Sequence, residues 1–150
     1  MSMTPLSRWA RSRRAFAATA ALAAGLAVGG VVTASPASAG TNCAGGYHCV
    51  FWSSFSSARH SYFNSDSNFT NDTFNDTTYG SSGSGTTVND NAWSASNSST
   101  GGYYSRYYLD INNGGGMLFC VKPGSQVEEL SAALSASSLS LTTSNPGGCY

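Results

Sequence analysis

Aromatic rings are the main source of apolar surface after residue 39, and this restricts what the chain can fold into. That part holds all eight Tyr, six of the seven Phe and two of the three Trp, since only Phe16 and Trp9 precede it. Disordered chains are poor in aromatic residues, whereas aromatic and β-branched residues between Gly, Asn and Ser clusters are typical of strands. Short strands separated by turns predict an antiparallel β-sandwich. We place these strands at residues 47–52, 60–64, 92–96, 103–111, 116–121 and 136–141.

The first 39 residues have the layout of a secretory signal peptide. Four arginines between residues 8 and 14 precede an Ala-rich apolar run over residues 15–32, and Ala37 and Ala39 form a small-x-small cleavage site. A membrane anchor is the alternative, but the run is rich in Ala and Gly and barely reaches the roughly 18 residues that a span needs. We therefore expect residues 1–39 to be removed and residues 40–150 to be a single secreted domain without a membrane anchor.

The mature domain is mildly acidic. Its cationic residues are Arg59, Arg106 and Lys122, against seven acidic residues, which gives a net charge of −4. No basic patch remains to neutralise nucleic-acid phosphates, so we expect no nucleic-acid partner. We also expect a monomer without a cofactor.

Four cysteines follow the cleavage site: Cys43, Cys49, Cys120 and Cys149. An oxidising compartment favours two disulfides, and pairing neighbours along the chain would give one tight N-terminal loop and one long C-terminal loop. The sequence alone leaves the other two pairings open. A zinc site is the alternative, but no two cysteines have the two-residue spacing of such sites, and His48 and His60 complete no ligand pattern.

Two further segments have distinctive patterns. One helical turn is predicted at residues 125–130, where Ser125 and Glu128 fit a capping box. Residues 67–87, rich in Asn, Asp, Thr, Ser and Gly, are predicted to form a long surface loop. The order of aromatic, apolar and Ser-rich strands is similar in the two halves of the domain, which is typical of two Greek-key units packed face to face.

The stretches "GYHCVFW…ARHSYFN", "VNDNAWSAS", "YYLDINNGGGMLFCVKPGSQVEEL" and "SASSLSL" together resemble peptidase inhibitor family 36, small secreted actinomycete proteins that include streptomycete metallopeptidase inhibitors. The resemblance covers residues 43–141. It implies an all-β, βγ-crystallin-like sandwich of two Greek keys stapled by disulfides. It also implies a secreted inhibitor of extracellular peptidases, in particular thermolysin-like metallopeptidases.

The resemblance further implies an inhibitory bond. In the family's typical member this is a Cys–Val bond inside a disulfide-bound loop, and the matching residues here are Cys120 and Val121. Val121 is an apolar residue of the kind that thermolysin-like enzymes accept just after the bond they cut. The alternative is that Leu118, Cys120 and Val121 belong to an ordinary buried strand.

The stretch "VNDNAWSAS", residues 88–96, matches half of a metal-binding motif. In βγ-crystallin-like domains an Asn/Asp pair followed by Ser/Thr-Ser marks a calcium site, and Asn89, Asp90 and Ser94 fit it, although Trp93 stands in place of the first Ser/Thr. The matching stretch of the second half has no acidic pair, whereas Ca²⁺ takes about six to eight oxygen ligands. We therefore interpret the stretch as a turn and expect at most weak calcium binding.

No catalytic constellation is recognisable in the sequence. It contains no nucleophile elbow, zinc-binding His pair, phosphate-cradling Gly loop or free Cys, so we expect the protein not to be an enzyme. The alternative to inhibition is a noncatalytic βγ-crystallin-like binding or structural module, with a carbohydrate, another surface or weakly bound calcium as its ligand. Tyr103, Tyr104, Tyr107 and Tyr108 would present two rings on each face of one strand, and exposed tyrosines stack on sugars.

Overall fold

A computed structural model describes residues 39–150, and the predicted signal peptide lies outside these residues apart from Ala39. Within the described range, seven β-strands and three short 3-10 helices are present. The strands are β1 His48–Phe51, β2 Arg59–Tyr62, β3 Ser94–Asn97, β4 Tyr104–Asp110, β5 Gly114–Val121, β6 Gln126–Val127 and β7 Ser138–Thr142. The 3-10 helices are Phe69–Asn71, Ile111–Asn113 and Ser131–Ser135. No helix in residues 39–150 is long and apolar enough to cross a membrane.

The strands form two antiparallel sheets, which confirms the predicted all-β class. Sheet A has the order β2-β1-β3-β6, and sheet B has the order β5-β4-β7. Each sheet also receives a strand or bridge from the other half of the chain. The late strand β6 pairs with β3 in sheet A, and the early residue Asp66 forms a bridge with Leu139 of sheet B. The two halves are therefore interlocked through their backbones.

Aromatic residues fill the core between the sheets, as the composition predicts. The buried ring of Tyr107 stacks on Phe119 at a centroid distance of 4.4 Å, and Tyr62 stacks on Phe69 at 4.9 Å. Both sheets contribute to the same apolar cluster, because Val50 of β1 belongs to it together with the rings of β4 and β5. Stacked aromatic pairs add about 0.5–1.5 kcal/mol each to the energy of burial alone.

The predicted helical turn at residues 125–130 is wrong. Gln126 and Val127 instead pair with Ser96 and Ala95 of β3, and the helical turn follows at residues 131–135. The carboxylate of Glu128 accepts a hydrogen bond from the Phe55 N–H at 3.0 Å, so it caps a distant loop rather than its own segment. Pairing with β3 at the edge of sheet A gives the backbone N–H and C=O groups of this segment hydrogen-bond partners that a local helix would otherwise provide.

Residues 67–87 are irregular as predicted, but their predicted surface position is wrong for two of them. Phe69 and Phe74 are completely buried in the core. Backbone bonds hold the segment in place, including the Phe74 N–H to Thr86 O at 3.0 Å. Burying a phenylalanine side chain contributes about 1.5–3 kcal/mol, so this segment is a structural part of the domain.

The two disulfides join neighbours along the chain. Cys43 pairs with Cys49, with the Cα atoms 5.8 Å apart, and Cys120 pairs with Cys149 at 4.7 Å. By the loop-closure estimate the shorter loop contributes about 2 kcal/mol and the longer about 3.5 kcal/mol. The second bond also holds the C-terminus on β5, where the Tyr150 N–H donates to Cys120 O at 3.0 Å.

Candidate functional site

The Cys120–Val121 bond is buried at the C-terminal end of β5, the edge strand of sheet B. Both residues belong to β5, where they pair with Arg106 and Ser105 of β4, and their exposed fractions are 1% and 0%. The Val121 carbonyl accepts a hydrogen bond from the Asn97 amide at 2.9 Å. A peptidase must reach and bend the bond it attacks, so an inhibitory role for this bond does not fit the structure. The side chain of Val121 points into the core because strand residues alternate between faces.

The end of the β4–β5 hairpin exposes apolar side chains, unlike the buried Cys120–Val121 bond. We call residues 109–117 the hairpin tip. Leu109, Ile111 and Met117 within it are 40%, 43% and 42% exposed. Single exposed apolar side chains are common on protein surfaces, but three within nine residues make the hairpin tip a candidate contact segment.

Unusual backbone angles and hydrogen bonds to the body of the domain fix the hairpin tip. Asn112 and Asn113 have φ of 57° and 58°, in the left-handed region that asparagine tolerates better than most residues. The Asn112 N–H donates to Ser67 O at 2.7 Å, and the Asn113 N–H donates to the Ser138 hydroxyl at 3.1 Å. That hydroxyl donates in turn to Asp110 O at 2.7 Å. The tip therefore keeps its shape without a partner.

Of the two tyrosine pairs predicted on opposite faces of β4, only Tyr104 and Tyr108 lie together on one face of the strand. Tyr107 points into the core, while Tyr104 and Tyr108 lie half-buried on the outer face of sheet B. Arg106 separates these two, with its guanidinium 5.9 Å from the centroid of the Tyr108 ring. Tyr103 precedes the strand and is exposed. The face that includes Tyr104 and Tyr108 thus carries a cation between its rings rather than a flat pair of rings.

Residues 89–91 form a turn that leads into β3, as predicted. The Asn91 N–H donates to Val88 O at 3.1 Å, and Asp90 has a left-handed φ of 61°. The predicted strand at residues 92–96 is shifted, because β3 begins at Ser94. An Asn/Asp pair suits such a turn since both side chains tolerate left-handed backbone.

The structure does not direct the three candidate calcium ligands to one point. The buried Ser94 hydroxyl donates to the carbonyl of Ser53 in another loop. Asp90 instead lies beside the second half of the chain, where the Ser137 hydroxyl is 3.4 Å from its Oδ1. Asn89 Oδ1 is buried and accepts no hydrogen bond within the described residues. Of the three candidates, Ser94 therefore lies apart, whereas the Asn89 amide donates to Asp90 Oδ2 at 2.5 Å, and Asp90 is their one carboxylate.

An ion pair missed by the sequence analysis lies on the outer face of sheet A. Arg59 donates to one carboxylate oxygen of Asp76 through Nε at 2.9 Å and Nη2 at 2.7 Å. Hydrogen bonds from Thr78, together with the Arg59 guanidinium, lower the pKa of Asp76 to about 2. The pair lies in a cleft of about 310 Å³. Nothing in the spacing of residues 59 and 76 indicates their contact, which depends on how residues 67–87 fold back.

His48 is buried between the sheets. Its Nδ1 lies 2.6 Å from the hydroxyl of Ser105, so it links β1 of sheet A to β4 of sheet B. Burial lowers its pKa from 6.5 to about 4, because the charged imidazolium would lose its hydration. His48 is therefore neutral at physiological pH and belongs to the core rather than to a metal site.

Two other acidic side chains accept hydrogen bonds within the fold. Asp72 accepts a hydrogen bond from the Tyr62 hydroxyl at 2.9 Å, and Asp66 accepts one from the Asn68 N–H at 2.8 Å. Within residues 39–150 no group of three or more His, Cys, Asp or Glu side chains is placed to hold a metal ion. Comparison of the chain with protein-family models, curated proteins and solved structures found no match.

Proposed function

We propose that the protein is a secreted, noncatalytic inhibitor of extracellular peptidases, and that the hairpin tip is its contact segment. The main observation behind this proposal is that the hairpin tip is apolar, exposed and fixed in shape. A thermolysin-like metallopeptidase is the preferred target, because such enzymes accept an apolar side chain next to the bond they cut. Leu109 and Ile111 provide such side chains.

The sheet topology supports the fold that goes with this function. We propose that the domain consists of two βγ-crystallin-like Greek keys. In each half the first strand lies beside the second and the last, and a segment from the other half extends the sheet. Sheet A shows this with β2, β1, β3 and β6, and sheet B shows it with β5, β4, β7 and the Asp66 bridge. This arrangement agrees with the resemblance to peptidase inhibitor family 36.

The mechanism follows from preorganisation. A flexible segment loses conformational entropy when it binds, at a cost of about 0.5–1.5 kcal/mol for each immobilised side chain, whereas a fixed segment has already lost most of its backbone freedom. The bonds from Asn112 to Ser67 and from Asn113 to Ser138 hold the tip at its middle. If the enzyme cuts within the tip, these bonds and the β4–β5 pairing keep the new ends together. Release of the cut segment is then slow, which is what inhibition requires.

Titration of the secreted protein against a thermolysin-like metallopeptidase tests the proposal. We expect inhibition at micromolar concentrations or below. Ile111→Asp and Leu109→Asp should abolish it, because a carboxylate placed in an apolar pocket costs several kcal/mol when no partner is present. Both side chains are exposed, so the melting temperature should change little.

Two further variants serve as controls. Phe63→Asp changes a more exposed apolar side chain outside the hairpin tip and should leave inhibition intact. Val121→Asp puts a carboxylate into the core and should unfold the domain, so its loss of inhibition would carry no information about contact. A parent protein that leaves thermolysin-like and serine peptidases fully active at micromolar concentration contradicts the proposed function. Inhibition that survives both tip variants contradicts only the assignment of the tip.

A further inference from the structure

The cleft on the outer face of sheet A has three rigid sides. Ala44 and Tyr47 form one wall, and both lie inside the loop closed by the Cys43–Cys49 disulfide. The Tyr47 N–H donates to Ala44 O at 3.0 Å, which fixes this small loop further. Arg59 and Ser61 of β2 form the floor.

Asp76 forms the opposite wall. Its backbone pairs with Arg59, with the Arg59 N–H donating to Asp76 O at 2.9 Å and the Asp76 N–H donating to Arg59 O at 3.1 Å. The side chain of Arg59 is only 10% exposed, whereas that of Asp76 is 31% exposed. The carboxylate is therefore held in a defined position and remains reachable from the cleft.

The polar groups of the cleft suit neutral hydroxyl groups better than ions. Asp76 Oδ2 already accepts from Arg59 twice, so the acceptor offered to a ligand is Oδ1, which also accepts from the Thr78 N–H at 2.9 Å. The Ser61 hydroxyl can donate or accept. The Arg59 side chain bonds to Asp76 and to the carbonyl of Asn42, which leaves guanidinium N–H groups without a partner within residues 39–150. An anionic ligand would meet Asp76, and a cationic ligand would meet Arg59. A ligand with vicinal hydroxyl groups can donate to the carboxylate and accept from the guanidinium at once.

Aromatic rings continue from the cleft in both directions. Phe63 is 63% exposed and lies edge-on to Tyr47, at a centroid distance of 5.5 Å. On the other side the Tyr79 ring lies 4.9 Å from the Arg59 guanidinium and is also exposed. The order of contacts is therefore Phe63, Tyr47, cleft, Arg59 and Tyr79. Such rings stack on the apolar C–H faces of sugars.

From this arrangement we propose that the outer face of sheet A binds a neutral oligosaccharide, with one pyranose ring in the cleft beside Asp76 and Arg59. Its volume of about 310 Å³ leaves room for one sugar ring with bound water. The second sugar unit rests on Tyr47, and the third rests on Phe63 beyond it. This site is separate in sequence from the hairpin tip and does not depend on peptidase inhibition.

Calorimetric titration of the secreted protein with cellohexaose, xylohexaose and chitohexaose tests the site. We expect at least one of these to bind at millimolar concentration or below. Asp76→Asn should weaken binding by at least about tenfold, because a charge-assisted hydrogen bond is lost. Tyr47→Ala should weaken it by about fivefold through loss of stacking.

The Phe63→Ala variant controls for loss of sugar binding that is caused by damage to the fold. This side chain is mostly solvent-exposed, so the fold should be unaffected. The change should weaken binding of the hexasaccharide by a few fold while leaving the corresponding disaccharide unaffected, because only the longer ligand extends past Tyr47. Ile111→Asp, on the hairpin tip, is the matched control and should bind sugar like the parent protein.

Three outcomes would overturn the proposal. The first is an absence of heat with all three neutral hexasaccharides at millimolar concentration. The second is binding that persists in both Asp76→Asn and Tyr47→Ala. The third is binding to polygalacturonate in preference to the neutral ligands, which would assign sugar binding to an unpaired cation elsewhere.

Discussion

The free energy of unfolding is expected to fall between pH 7 and pH 4, and His48 should account for about 3 kcal/mol of this fall. Replacing His48 by Asn should therefore make the fall smaller by about that amount. His48 is 1% exposed, and burial lowers its pKa to about 4 in the folded protein, against 6.5 for an unperturbed histidine. Asn cannot be protonated in this range. Its amide is nevertheless able to take the place of the imidazole Nδ1 beside Ser105.

The sign follows from proton binding. Below pH 6.5 the unfolded chain takes up a proton at residue 48, whereas the folded chain does so only near pH 4. Stability contributed by the neutral imidazole is therefore complete above pH 6.5 and is lost as the pH falls towards 4. The shift of about 2.5 pKa units corresponds to about 3 kcal/mol at 1.36 kcal/mol per unit.

Urea denaturation followed by tryptophan fluorescence at pH 4, 5, 6 and 7 provides the measurement. The two proteins are compared by the change in unfolding free energy with pH, because the substitution also lowers stability at pH 7. Carboxylates that titrate at low pH are common to both proteins and cancel in the difference. His60→Asn, measured in the same way, identifies any part of the slope that comes from the other histidine of the domain. Parallel curves for the parent and His48→Asn would refute the reasoning.

Three other predictions concern packing and calcium. Gly83→Ala should destabilise the domain far more than Gly85→Ala. Both glycines have φ near 80°, but only at Gly83 would the new Cβ meet Trp52, at 2.0 Å; urea denaturation of the two variants compares them. Phe74→Ala should cost about 3–5 kcal/mol, because it leaves a cavity in the core, and a loss below 1 kcal/mol would show that residues 67–87 do not pack as described. Calcium should bind no tighter than about 10⁻⁴–10⁻³ M, since the site has one carboxylate, and micromolar binding that disappears in Asp90→Ala would contradict this.

Much of the fold class could be predicted from the sequence. Each of the six predicted strand segments overlaps an observed strand and agrees with its bounds to within two residues, because aromatic and β-branched residues between turn-forming clusters favour extended backbone wherever they pack. The strand predicted at residues 92–96 overlaps β3 but begins too early. The turn at residues 89–91 was also predictable, since Asn and Asp tolerate the left-handed conformation that Asp90 adopts.

The candidate sites depended on the tertiary structure. Strand alternation predicts that Cys120 and Val121 point to opposite faces of β5. It does not predict that the disulfide covers the Cys120 face while Val121 is buried in the core. Likewise, the sequence shows an arginine at residue 59 and an aspartate at residue 76 without indicating that they meet. Their contact requires residues 67–87 to fold back over sheet A, which happens because Phe69 and Phe74 gain more from burial in the core than the segment loses in freedom. Local preference therefore determined which residues form strands, whereas burial of distant apolar side chains decided which faces were left for binding.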